Sequence, residues 1–440
     1  MKKKSINKYL WIAFVFSLTA TQAQEILTQN KAVSLALEHN YGIQVEQNNV
    51  AISENNTTIL NTGYLPTLTA NAGANYNLND TEAVFTSGTV TTLTGAKSSS
   101  YNASLNLNYI LFDGLGREYN YKKIQEEYQL SELQARETIE NTVIQLFSVY
   151  YNVAQIKENK KSFEQSLAIS KDRLKRAEYQ FDYGQNTKLG VLNASVDINN
   201  DSIQILNTQM ELKNAKRNLN LVLGNVLSES FDINTDVHFI LELDKPALLA
   251  KAKEKNVALL KAEKNIALKE LDVKLVTSEF LPTIGLTGSY GWNKNNNNAA
   301  SPVLTSTNIG LSGGLNLTWN LFEGKSFVAA KNKKLALQNE KLLQKNILNE
   351  IERDFNNAWD NYQNKYTVYQ IQEETIKTAQ NNFDRTNEKF KLGQVNSIEF
   401  RQAQLNLLNA ELTRNQAKFQ AKYAELEVLY ISGDLLNQNF

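Results

Sequence analysis

The sequence NYILFDG at residues 108–114 returns as TWNLFEG at residues 318–324, and each copy ends a stretch of alternating apolar and polar residues. Two further motifs recur in the same order. LPT occurs at residues 65–67 and again at 281–283, and QFDYGQ at 180–185 corresponds to KFKLGQ at 389–394. The chain is therefore a tandem repeat. Each half is expected to contain two strands, a very long helix, a glycine turn and a second helix.

Four segments have the alternation of transmembrane strands. Apolar residues take every second position in segments 67–79, 100–112, 283–293 and 308–321, and Asn, Thr, Ser and Gly occupy most positions between them. Period two over about ten residues is typical of a tilted strand that crosses a bilayer. Aromatic residues toward strand ends are candidates for the lipid interface, and these are Tyr76, Tyr101, Tyr109, Tyr290, Trp292 and Trp319. A soluble sheet with one face on a core is the alternative, but four such strands favour a barrel wall.

Four strands do not close a barrel alone. Open sheet edges are excluded from lipid, because their backbone groups would lack hydrogen-bond partners. The pattern therefore requires an oligomer. Two copies would give eight strands and an interior filled by side chains. Three copies would give twelve strands and an open lumen, so we favour a homotrimer.

Heptad spacing predicts long coiled-coil helices. Apolar residues lie seven apart from Leu348 to Phe390, and the same step runs from Ile139 to Phe181, broken only by Lys160. This period predicts a left-handed coiled-coil seam. A helix over residues 115–182 would be about 100 Å long at 1.5 Å per residue, which suits a protein that spans the periplasm. Glycine turns should then form the tips of helical hairpins at 115–225 and 324–431.

The N-terminus and composition limit the possible functions. Residues 1–23 have the basic start, apolar core and small-residue site of a signal peptide, which leaves repeats at 24–235 and 236–440. There is no cysteine, and 46 basic residues balance 46 acidic ones, so no disulfide and no nucleic-acid partner are indicated. The two histidines, His39 and His238, lie far apart in sequence, without a neighbour at metal-ligand spacing. We expect no catalytic, cofactor or metal site.

These features resemble the TolC-like outer membrane efflux proteins, or outer membrane factors, over essentially the whole mature chain. The resemblance rests on the duplicated half, Leu-Pro before each first strand, Leu-Phe-Asp/Glu-Gly after each second strand, and Phe-x-x-Gly at each tip. It implies an α+β membrane protein of the outer membrane of a Gram-negative bacterium. Three copies would form a twelve-stranded β-barrel and a periplasmic α-helical barrel.

The resemblance also implies a function and partners. The trimer would be the passive exit duct of a tripartite efflux pump or a type I secretion system. It would contact outer-membrane lipid, dock a periplasmic adaptor (membrane fusion) protein and, through that adaptor, serve an inner-membrane pump. The transported substrate, whether drug, metal or protein, is left open because the pump selects it. The alternative function is a periplasmic coiled-coil adaptor or scaffold without a pore.

Candidate site residues lie at the hairpin tips. Adaptor docking and gating are assigned to Gly184, Gln185, Phe390, Leu392, Gly393 and Gln394. Family members can place acidic residues six and nine positions after the second tip glycine. Those positions are Glu399, which matches, and Gln402, which departs. A Glu399 ring would attract cations, whereas a solvated helix glutamate is the alternative. The family's Tyr and Arg closing residues correspond to Phe390 and Val395, so we expect closure by packing of Phe390 and Leu392.

Overall fold

The structure, a computed structural model, describes residues 26–228, 230–240 and 242–438. The predicted signal peptide lies outside these residues. Contacts divide the chain into two compact units, and each unit draws on both sequence repeats. The first unit holds the described residues up to Val45, residues 137–256 and residues from 350 onward; the second holds residues 46–136 and 257–349. The two sequence repeats therefore do not correspond to the two compact units, because each unit combines segments from both repeats.

The second unit contains a four-stranded antiparallel sheet whose strands lie in the order in which they occur along the chain. Its strands are β2 (Thr67–Val84), β3 (Val90–Asp113), β5 (Thr283–Asn296) and β6 (Thr305–Thr318). The β2–β3 hairpin is longer than the alternation predicts, because residues expected in the loop continue the ladder up to the pair Val84 and Val90. Strand β6 ends three residues earlier than expected, at Thr318. Strands β2 and β6 are the open edges of this sheet.

The register places the apolar residues of all four strands on one face. Directly paired neighbours share a face of a sheet, and two such rows are Ala70, Leu105, Tyr290 and Leu311, then Ala72, Ala103, Trp292 and Ile309. The opposite face is polar and bonded between strands. There Ser289 Oγ donates to Asn106 Oδ1 at 2.7 Å, and Asn106 Nδ2 donates to Ser104 Oγ at 3.1 Å. The sheet thus separates an apolar surface from a hydrated one.

Helices of the second unit are joined by a shared carboxylate. Helix α6 (Val257–Ser278) belongs to this unit, while α2 (Tyr41–Asn56), α3 (Gly116–Asp182) and α7 (Gly324–Lys391) each contribute part of their length. Asp272 on α6 accepts hydrogen bonds from Lys123 on α3 at 2.9 Å and from Lys333 on α7 at 3.0 Å. Burial would raise the pKa of this carboxyl, but the two ammonium groups outweigh burial and hold the pKa below its usual range.

The first unit is mainly helical. It contains the remaining parts of α3 and α7 with the return helices α4 (Lys188–Val222) and α8 (Ser397–Ile431), and also α1 (Gln29–His39) and α5 (Lys245–Lys255). A short parallel ladder joins β1 (Ile26–Leu27) to β4 (Asp232–Ile233). Buried Tyr150 fixes this ladder, since its hydroxyl donates to the carbonyls of Leu27 and Asn234 at 2.9 and 2.8 Å. Across the part of the chain that is described, no helix has the length and apolar character needed to cross a bilayer.

The same backbone contact occurs in both repeats of the first unit. Asn40 Nδ2 donates to the Val222 carbonyl at 2.9 Å, and Asn256 Nδ2 donates to the Ile431 carbonyl at 2.9 Å. Beside each contact a glycine has positive φ, 79° at Gly224 and 70° at Gly433. A Cβ at either glycine would lie 2.3 or 2.7 Å from a backbone oxygen. We call the asparagine contact and the neighbouring glycine contact of each repeat its repeat joint.

Candidate functional site

The two hairpin tips have the same backbone design. Gly184 and Gly393 have φ of 71° and 70°, the left-handed conformation that ends a helix. The amides of Gln185 and Gln394 donate back to the carbonyls of Gln180 and Lys389, at 2.7 and 2.9 Å. A Cβ added at either tip glycine would have no neighbouring atom within 4 Å. Both tips are therefore fixed by backbone hydrogen bonds and open to their surroundings.

The candidate entrance residues lie on the first turns of α8. The Asn396 side chain caps this helix by accepting from the amides of Ile398 and Glu399 at 3.0 and 2.9 Å. Glu399 is exposed in the first turn, where a negative charge is stabilised by the helix dipole. Gln402 is exposed one turn further on, and its amide donates to Asn406 at 2.8 Å. Glu399 therefore has a helix-stabilising role in addition to any role at an entrance.

Phe390 and Leu392, the residues expected to close the tip by packing, have different surroundings in this chain. Phe390 is buried and stacks on Phe400 at a centroid distance of 4.6 Å, within a cluster that includes Phe383. Leu392 is 72% exposed. The helix ends at Lys391, between the two residues, so Leu392 lies outside the helix. Phe390 therefore stabilises its own hairpin.

A buried polar cluster that the sequence did not reveal joins the two hairpins above the tips. Arg401 on α8 donates to both carboxylate oxygens of Asp201 on α4 at 2.8 and 3.0 Å, and to Ser170 on α3 at 3.0 Å. Arg173 bonds Asp197, and Gln404 donates to Ser170 at 3.0 Å. We call this set the tip clamp; it consists of Ser166, Ser170, Arg173, Asp197, Asp201, Arg401 and Gln404.

Electrostatics keep Arg401 of the tip clamp charged. Burial favours a neutral Arg401, but Asp201 and then Asp197 outweigh burial and raise the pKa of its guanidinium. Ser170, Gln404 and Arg173 are almost fully buried, with at most 3% of their surface exposed. One signal for the clamp was present in the sequence, because Asp197 and Asp201 are the only charged residues between Lys188 and Glu211.

The aromatic candidates occupy two levels of the apolar sheet face. Tyr101 pairs with Ala74 and with Lys294, near the turn between β5 and β6, and Tyr109 pairs with Leu286 near the other end. Eight residues on one strand correspond to about 27 Å, or about 21 Å along the normal of a sheet tilted by roughly 40°. Tyr76 and Trp292 lie near the Tyr101 level, and Trp319 follows β6. Tyr290 is different, because it pairs with Leu105 in the middle of the ladder.

Within the described ranges, no group of three or more His, Cys, Asp or Glu side chains is arranged to hold a metal ion. An apolar-faced, four-stranded sheet on one chain with two long helical hairpins defines the class of TolC-like outer-membrane channels. The family described as outer membrane efflux protein matches residues 32–225 and 248–434, and the chain belongs to that family.

Individual relatives agree with this assignment. The outer membrane efflux protein BepC of Brucella suis biovar 1 (strain 1330) is 22% identical over 440 residues, covering 98% of this chain and 91% of BepC. The Campylobacter jejuni CmeC outer membrane channel is 17% identical with a TM-score of 0.74, over 92% of this chain and 86% of CmeC. The Vibrio cholerae outer membrane protein VceC is 13% identical with a TM-score of 0.69, over 92% and 96% of the two chains.

Family membership confirms the main predictions from the sequence. The protein is an outer-membrane efflux channel subunit with a periplasmic extension, and its family is one of export ducts rather than enzymes. Tripartite pump partners follow from the family at that general level. The fold class of two strands and a long helical hairpin in each repeat is likewise confirmed.

Proposed function

We propose that three copies of this chain form the exit duct, with twelve strands in the outer membrane and an α-helical barrel in the periplasm. The open edges β2 and β6 carry this proposal. Each strand of the sheet is antiparallel to its neighbour, so β2 and β6 run in opposite directions. The β6 edge of one copy is therefore suited to antiparallel pairing with the β2 edge of the next. Closure would remove the unpaired backbone groups that lipid does not tolerate.

The apolar face of the sheet would contact lipid. Tyr76, Tyr101 and Trp292 would lie at one membrane interface, and Tyr109 and Trp319 at the other, at a spacing close to the roughly 25 Å apolar band of such barrels. Tyr290 would face the acyl chains between the two interfaces, because it pairs in the middle of the ladder. The polar face, with its Asn and Ser side chains, would line the lumen.

The hairpin tips would receive the periplasmic adaptor protein, and through it an inner-membrane pump. Support comes from the open space around Gly184 and Gly393 and from the exposure of Gln185, Leu392 and Gln394. An exposed apolar side chain at a fixed turn is suited to docking. Transport through the duct is passive, and the pump would select the cargo.

The first test measures oligomeric mass and conductance on one detergent-extracted sample. We expect three processed chains per particle, each below the 49.7 kDa of the full sequence, and stepwise conductance in a planar bilayer. A monomer that washes from membranes in high salt and never conducts would contradict the channel. That result would support the periplasmic scaffold alternative.

The second test concerns the entrance. Three Glu399 side chains in a narrow mouth would favour cations, because a low-dielectric opening concentrates their field. We expect Glu399→Gln to lower cation preference, measured as the reversal potential in a salt gradient. Gln402→Glu, one turn away, should raise it. Unchanged reversal potentials in both variants would leave Glu399 only its role in stabilising the start of α8.

A further inference from the structure

A groove in the first unit lies well away from the hairpin tips. It is formed by α3, α7 and α8 and has a volume of about 470 Å³. Gln420, which lines it, is twenty-seven residues beyond Gly393, or about 40 Å along α8 at 1.5 Å per residue. Cavities of about 300–1,000 Å³ are typical of sites for small organic molecules. We call this cavity the α8 groove.

The α8 groove contains two charged residues, Lys365 on α7 and Glu427 on α8, and both are half-buried. Lys365 Nζ donates to the side chain of Gln420 at 3.0 Å. Neither Lys365 nor Glu427 forms an ion pair with any residue that the structure describes. Burial alone raises the pKa of the Glu427 carboxyl. Each of these charges would therefore be stabilised by a bound group of the opposite sign.

The two charges lie at opposite ends of the α8 groove. Lys365 is level with Gln420, to which it is bonded, and Glu427 follows Gln420 by seven residues. Seven residues are two turns of a helix, so the two positions share one face of α8 and are about 10 Å apart along it. A ligand that satisfies both charges must carry a cationic group and an anionic group, several ångströms apart.

Uncharged side chains between these ends are suited to a peptide backbone. Asn152 and Gln155 on α3 and Asn361 on α7 line the α8 groove. In the part of the chain that the structure describes, none of these three side chains has a hydrogen-bond partner. A carboxamide both donates and accepts hydrogen bonds, as a peptide group does. The groove thus combines two separated charges with free amide groups.

The α8 groove lies on the side of α8 that faces away from the crossover segment, residues 230–240. Lys418 donates to the carbonyl of Thr235 at 3.0 Å, and Glu425 accepts from the amide of Ile240 at 3.1 Å. Glu427 is nine residues from Lys418 and two from Glu425, which at about 100° per residue places it roughly half a turn around α8 from both. A segment that crosses the helices would obstruct a lumen. In the proposed duct the crossover segment is therefore outside, and the groove faces the lumen.

We propose that the α8 groove binds short zwitterionic peptides of two or three residues, with the N-terminal ammonium at Glu427 and the C-terminal carboxylate at Lys365. An extended chain spans about 3.3–3.6 Å per residue, so two or three residues cover about 7–11 Å. A single amino acid is too short to reach both charges. The inference rests on the proposed duct and gives its lumen three identical peptide sites, one on each copy.

Trialanine and its blocked forms test this site on the full-length, detergent-extracted channel. N-acetylation removes the ammonium of the peptide, and C-amidation removes its carboxylate. We expect calorimetry to show free trialanine binding about tenfold more tightly than either blocked form, because each block removes one charged contact. Free trialanine should also lower the ion current in a planar bilayer, at lower concentrations than the blocked forms. Equal affinities for all three forms would overturn the proposal.

Two variants assign the two ends of the peptide. Glu427→Gln should weaken free trialanine about tenfold and leave the N-acetylated form unchanged, because that form has no ammonium to lose. Lys365→Gln should likewise weaken free trialanine and leave the C-amidated form unchanged. The control is Asp360→Asn, since Asp360 is 79% exposed on α7 and directed toward Lys245 of α5. It should change the affinity of no peptide.

The outcomes separate this site from the proposed duct. Glu427→Gln replaces an unpaired, half-buried charge by a neutral side chain of the same shape, so the variant should fold and retain its mass. A Glu427→Gln channel that loses affinity equally for free and N-acetylated trialanine would overturn the assignment of the ammonium to Glu427. A conducting trimer that binds none of the three forms would overturn the peptide site and leave the duct intact. Charge-dependent binding to a protein that never conducts would support the site and contradict the duct.

Discussion

Replacing Arg401 by Met should destabilise the helical unit strongly. The variant keeps an apolar stem of similar length but removes both hydrogen bonds to Asp201 and the bond to Ser170. The side chain of Asp201 is only 11% exposed, and that of Arg401 is 14% exposed. Asp201 would then be a buried carboxylate with the Ser170 hydroxyl as its remaining partner in the clamp.

The magnitude follows from the burial of the pair. Removing one partner of a buried ion pair costs about 3–5 kcal/mol, because the other charge is left uncompensated. Since Arg401 is slightly exposed, we take the lower end, about 3 kcal/mol. For units of roughly 150–250 residues this corresponds to a fall of about 6–12 °C in Tm. Adding Asp201→Asn removes the stranded charge and should restore about half of the loss.

The assay is thermal unfolding of the detergent-extracted protein, followed by far-ultraviolet circular dichroism. Arg353→Met is the matched control, because Arg353 forms an exposed ion pair with Asp354 on α7 and should change Tm little. Equal Tm values for the two variants would refute the reasoning. So would an Asp201→Asn change that lowers the Tm of the Arg401 variant further, because the buried charge would then not be the cause.

Three further changes test other parts of the fold. Gly224→Ala should reduce the yield of folded protein sharply, because its Cβ would lie 2.3 Å from the His39 carbonyl oxygen. Gly184→Ala, with open space around it, should cost only the left-handed backbone preference of about 1–2 kcal/mol and give a modest fall in Tm. The pKa of Asp272 is lowered in the folded protein. Its charged form therefore stabilises the fold fully above the pKa of an unfolded Asp, about 3.9, and this stabilisation is lost as the pH falls through the lower pKa of the folded state. Asp272→Asn should therefore lower Tm at neutral pH and make Tm decline less steeply below about pH 4. The control Asp360→Asn, at an exposed carboxylate, should change neither Tm at neutral pH nor its decline in acid. Identical profiles of Tm against pH for the two variants would contradict the ion-pair argument.

The sequence predicted local features well, because they depend on residues close together in the chain. The alternation near Leu105 and Tyr290 indicated strands with one apolar face, and the structure bears this out. The paired extension of β2 and β3 that ends at Val84 and Val90 was missed, because its residues form no continuous apolar face. Backbone pairing alone identifies those residues as strand.

The tip clamp could not be predicted in the same way. Arg401 and Ser170 are 231 residues apart, and no local period links them. Glu399 lies two residues from Arg401, yet only Arg401 points into the layer between the hairpins. The family resemblance concerned the entrance, and it therefore indicated the exposed Glu399 and not the buried Arg401.

The repeat joint bears on how far the two halves of this chain can diverge. At each repeat joint an asparagine side-chain amide donates to a main-chain carbonyl, and a glycine lies close against another main-chain carbonyl. Every amino acid provides such a carbonyl. Around them the halves differ freely, with LVLGN at 221–225 against YISGD at 430–434. A duplicated ancestor could therefore have exchanged nearly all its surrounding side chains while two small residues in each copy preserved the geometry.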